Sequence, residues 1–115
     1  MTMVSALKAL TQGEAPNTVT LPVAESEWDT KPDADSYGVV NLDFEAGADR
    51  GDDVKDFEVY ECSMDLFSRT RSGGGWVELI CNTLTAYCDG SWSLNSHTYE
   101  RDTGFFHWEW TFELI

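Results

Sequence analysis

The stretch GFFHWEWTFELI runs from Gly104 to Ile115. In it Phe106, Trp108, Trp110, Phe112 and Leu114 alternate with Phe105, His107, Glu109, Thr111 and Glu113. A period of two, with bulky apolar groups on one phase, is the pattern of a strand with one buried face. Such a strand needs pairing partners at its sides and a cover over its apolar phase. The rest of the chain must supply both.

The nearest partner lies just upstream. SWSLNSHTYE alternates through Trp92 and Leu94, and Arg101 to Gly104 reads as a short turn, so the two segments form an antiparallel hairpin. The cover comes one segment earlier. In WVELICNTLTAYCDG, residues Trp76, Leu79, Ile80, Thr83, Leu84, Tyr87 and Cys88 recur at helical spacing, with Gly90 placed to stop the helix. This stripe is expected to lie on the Phe106-to-Leu114 row. SGGG at residues 72–75 is a linker or helix entry; it has neither the spacing nor the lysine of a phosphate-binding loop.

Further strands precede the helix. SYGVVNLDFE alternates Val40, Leu42 and Phe44 against Val39, Asn41 and Asp43. VKDFEVYECSMDLFS reads as a long strand whose apolar phase switches near Val59 and Tyr60, which predicts a bulge or twist there. TVTLPVAESEW is β-branched but contains Pro22, which suits a short edge strand or an extended segment. The first residues suit a helix of two or three turns starting near Thr2 or Ser5, and its apolar run, broken by Lys8, does not suit a signal peptide. The expected fold is α+β, with residues 1–115 as one domain: a mainly antiparallel sheet of four to five strands with two helices packed on one face. Phe105, Ile115 and the sheet edges are left without cover, and a partner subunit would provide it.

Composition narrows the function. The chain holds 21 acidic and 7 basic residues, a net charge of −14, and 14 of the acids fall between Glu25 and Asp65. Such a surface repels phosphate backbones, which argues against nucleic-acid binding through a basic patch. No apolar run approaches the roughly 18 residues of a membrane span, so no membrane partner is expected. Cys62, Cys81 and Cys88 have no metal-ligand spacing and read as reduced core residues of a protein made in the cytoplasm.

The search for chemistry returns little. His97 and His107 fall in the two strands of the hairpin, where cross-strand pairing beside Glu109 would offer a weak metal set. Asp49, Asp52, Asp53 and Asp56 could offer oxygen ligands to calcium but lack the spacing of an EF-hand loop. No catalytic residues, cofactor or metal are expected, and the chain does not read as an enzyme. Arg69 and Arg71 form a local basic patch in an acidic chain, suited to the acidic face of a neighbouring copy. Such a heterologous contact closes into a ring where the rotation permits.

The order of elements is familiar. A short N-terminal helix, the strand YGVVNLDFE, a loop, the strand FEVYECSMDLFS closing on Asp65-Leu66-Phe67-Ser68, an amphipathic helix and an aromatic hairpin follow one another. This arrangement resembles the small tail-terminator, or tail-completion, proteins of long-tailed bacteriophages and their neck and minor tail relatives. The resemblance implies a single tail-terminator-like domain that forms a hexameric ring at the head-proximal end of the tail. The ring would stop tube polymerisation and prepare head-tail joining. Its implied partners are further copies of itself, the major tail tube protein and the head-tail connector proteins. DNA would pass through without specific binding, past carboxylates that repel phosphate. Asp49, Asp52, Asp53, Arg69 and Arg71 are the candidate channel or interface residues. The implied location is the virion tail, after assembly in the host cytoplasm. Two other readings stand beside this one: an acidic DNA mimic that inhibits a basic host protein, and a small metal or enzyme domain built around His97 and His107.

Overall fold

The computed structural model describes residues 2–43, 60–88 and 91–114. Helix α1 spans Met3–Leu7 and starts where the Thr2 hydroxyl accepts the Ser5 N–H at 3.1 Å. It is shorter than expected, one turn and a half, and buries Met3 and Leu7. Strands β1 (Thr11–Gln12) and β2 (Val19–Thr20) pair as a small antiparallel ribbon. The main sheet contains β3 (Val23–Glu25), β4 (Ser36–Asp43), β5 (Tyr60–Ser68), β6 (Trp92–Glu100) and β7 (Phe105–Leu114), in the order β3-β4-β5-β7-β6. Between β5 and β6 the chain forms a 3-10 turn, Gly73–Gly75, and helix α2, Trp76–Cys88.

The fold is α+β with two helices, as the residue periods predict, but the sheet is mixed. Short β3 runs parallel to β4, while the other three pairings are antiparallel. Alternation does not encode pairing direction, so it leaves the parallel edge undetermined. The expected edge character of this segment holds: the Pro22 carbonyl accepts the Gly38 N–H at 2.8 Å as the chain enters β3. Because β5 and β6 both run antiparallel to the β7 between them, they are parallel to each other, and α2 is their crossover.

That crossover lays α2 on one face of the sheet. Trp76, Ile80, Leu84 and Cys88, each four residues apart, are buried against Met64, Leu66, Trp108, Trp110 and Phe112 within one core cluster. Met3 and Leu7 of α1 join the same cluster. The stripe is narrower than the sequence suggests: Leu79 and Thr83 are half-buried and Tyr87 is 40% exposed. A helix laid on a sheet buries one line of side chains, and those a turn-third away stand at the margin. The expected stop at Gly90 and the phase switch near Val59 lie outside the described residues.

Candidate functional site

With the helices on one face, the opposite face, the open face, carries no helix among the described residues. Alternation delivers Tyr37 from β4, Phe67 from β5 and His107 from β7 to the same row, since Tyr37 pairs with Phe67 and Phe67 with His107. The three rings stack in series. Tyr37 and Phe67 have centroids 5.0 Å apart at 17°, and Phe67 and His107 4.3 Å apart at 18°. Trp28, from the loop after β3, and Phe105 meet Tyr37 edge-on. The Trp28 indole donates to the Gly38 carbonyl at 3.1 Å. The Arg69 guanidinium lies 4.6 Å from the Phe105 ring centroid. Phe105, expected to be uncovered, is thus largely buried by side chains of its own chain; Ile115 lies outside the described residues.

His107 ends this row between two carboxylates. Its Nε2 is 2.7 Å from Asp65 Oδ1 and its Nδ1 is 3.2 Å from Glu100 Oε2. The Asp65 hydrogen bond, foremost, lifts its pKa above the ordinary 6.5; partial burial opposes the lift, and the charges of Asp65 and Glu100 reinforce it. Tyr37 is also raised, mainly by burial and then by Glu100. Both partners of His107 offer acceptor oxygens, so both ring nitrogens donate when the imidazole is protonated. In that form the arrangement is an electrostatic clamp joining β5, β6 and β7. The carboxylates also sit on opposite sides of the ring, and no group of three His, Cys, Asp or Glu suited to a metal occurs among the described residues.

The expected pairing of His97 with His107 is corrected. A register shift between Leu94 and Ser96 places Asn95 as an extra residue in β6 and inverts the alternation beyond it. His97 therefore faces the helix side, stacked on Trp108 at 4.3 Å, while His107 faces the open side. Asn95 itself is tied back by a 2.9 Å bond from its side-chain amide to the Thr111 hydroxyl.

Of the nominated residues, Asp49, Asp52 and Asp53 lie outside the described residues. Arg69 and Arg71 follow β5 directly and are exposed. With Tyr99, Gly104 and Phe106 they line a depression of about 440 Å³. At the other end of β5, Glu61 and Glu113 line a second depression of about 440 Å³ with Ser91, Trp92, Ser93 and Thr111. Alternation alone places Glu61 and Glu113 on the open face, but their direct pairing in register required the tertiary structure. Along the outer edge, β6 exposes Leu94 (44%) and Tyr99 (54%). No described helix is long and apolar enough to cross a membrane. Compared with known proteins, the chain matches no family model, no curated protein and no solved structure.

Proposed function

We propose that this protein is a structural assembly subunit, a tail terminator of a long-tailed bacteriophage that caps the tail tube as a ring of about six copies. The observation that carries the reading is the outer edge of the sheet. Strand β6 runs nine residues, Trp92–Glu100, with neither Lys nor Pro, and it ends the sheet with no strand beyond it among the described residues. Long edges are ordinarily guarded by charge, proline or a covering segment; here one bulge at Asn95 interrupts an otherwise open edge bearing exposed Leu94 and Tyr99. Such an edge suits a subunit whose neighbours complete it.

The chemistry agrees with a structural role. The half-buried histidine of the open face is committed at both ring nitrogens to carboxylates. A net charge of −14 suits a ring through which DNA slides without adhering. On this reading the neighbours are further copies, the tube protein and the connector, at the head-proximal end of the tail. The acids at 49, 52 and 53 are the nominated channel wall.

Native mass measured across protein concentrations, with negative-stain images of the largest species, tests the proposal. A closed ring, alone or on the end of tail tubes, is expected. A monomer at every concentration that also fails to cap tubes would sink it. If that monomer instead formed a salt-sensitive complex with a basic DNA-binding protein, the DNA-mimic reading would replace it.

A further inference from the structure

The charges on the sheet are segregated along the strands. Glu61 and Glu113 are directly opposite each other on β5 and β7, and both are exposed. Like charges in that relation destabilise a sheet, and no ion pair relieves either one among the described residues. Arg69 and Arg71 stand beyond the other end of β5, likewise without a carboxylate partner among the described residues. From Glu61 to Arg69 the strand advances about 26 Å at roughly 3.3 Å per residue. That distance exceeds a Debye length of about 8 Å, so the two ends do not neutralise each other within one copy.

Each end is also shaped. The arginine pair and the glutamate pair line depressions of equal volume, about 440 Å³ each. Ser93 and Thr111, paired with each other on the same face as Glu61 and Glu113, line the acidic one with them. Guanidinium groups bind carboxylates in a two-pronged fashion, so a pair of facing carboxylates is fitted to arginine. We infer that Arg69 and Arg71 of one copy dock on the Glu61 and Glu113 depression of a second copy, as a head-to-tail contact. In a chain of net charge −14 most approaches between copies bring like charges together. This orientation juxtaposes opposite ones and so selects the register of assembly. The contact joins two different patches and is therefore heterologous, the kind that builds rings. The inference rests on the assembly reading above and names the surfaces that meet.

Charge exchange tests it. The variant R69E/R71E has two acidic ends and E61K/E113K has two basic ends. Each alone is expected to associate roughly tenfold more weakly, or worse, than the wild type in sedimentation velocity at moderate salt. An equimolar mixture of the two is expected to recover assembly, because each end of one variant then meets its complement on the other. The neutral variant E61Q/E113Q guards against a folding artefact. It removes a like-charge pair and leaves the monomer at least as stable, yet it too is expected to associate more weakly. If the wild type forms rings and either charge-reversed variant still does, or the mixture stays monomeric, this contact is wrong and the ring reading survives. If the wild type never associates, with or without tube protein, both fall together.

Discussion

His107 shows how little of a side chain's role its neighbours in sequence reveal. The residue lies on the polar phase of the aromatic strand, where it reads as half of a histidine pair or as a structural residue. Its governing partner, Asp65, is 42 positions away and arrives only when β5 and β7 align. The clamp has a measurable consequence. A histidine whose folded-state pKa is raised contributes its stability in full below about pH 6.5, the ordinary value, and loses it as pH rises through the raised folded pKa. Urea unfolding of the wild type is therefore expected to show stability falling on the alkaline side of 6.5. His107→Gln should flatten that profile and cost about 1–3 kcal/mol at its acidic end, since Asp65 and Glu100 lose the cation between them. An unchanged slope in the variant would remove the clamp from the account.

Among the elements, the entry to α2 follows most directly from the sequence. Ser72-Gly73-Gly74-Gly75 reads as a linker or helix entry, and it is the entry. The backbone there turns through φ of +80° at Gly73 and +64° at Gly74, a region that costs side-chain-bearing residues about 1–2 kcal/mol. Gly74→Ala should lower the unfolding free energy by about 1 kcal/mol, because a methyl there would meet only Trp76 Cδ1, at an ordinary 3.7 Å, and backbone strain is the main effect. Gly73→Ala should cost more, since a methyl there would meet Val77 Cγ2 at 2.5 Å and the Trp108 ring at 3.4 Å. Chemical denaturation of both variants checks the ranking; equal losses would contradict it. Strand β6 is less legible. Its helix-side residues follow one phase to Leu94 and the other from His97, and nothing in SLNSH marks Asn95 as the bulge. A single extra residue moves every later side chain to the opposite face.

For the molecule as a whole, the two depressions and the β6 edge make separate demands. The ionic contact weakens as salt rises, whereas an apolar edge contact does not. Leu94→Lys, on the exposed edge, should leave monomer stability within about 0.5 kcal/mol while weakening association. Sedimentation and thermal melts on the same samples check both halves. Unaltered association would show that the edge is not a contact, and the proposed role would lose its main support.

Hydrophobic period and composition were enough to establish an α+β domain, the amphipathic helix from Trp76, the aromatic hairpin and the acidic surface. Each is a local property, written in residues a few positions apart. Three further matters required the folded chain: the parallel pairing of β3, the inversion of His97, and the meeting of Asp65, His107 and Glu100 on one face. These depend on pairing direction, on register and on contacts between strands distant in sequence. All three are set by which arrangement buries the shared core, and no single segment carries that information.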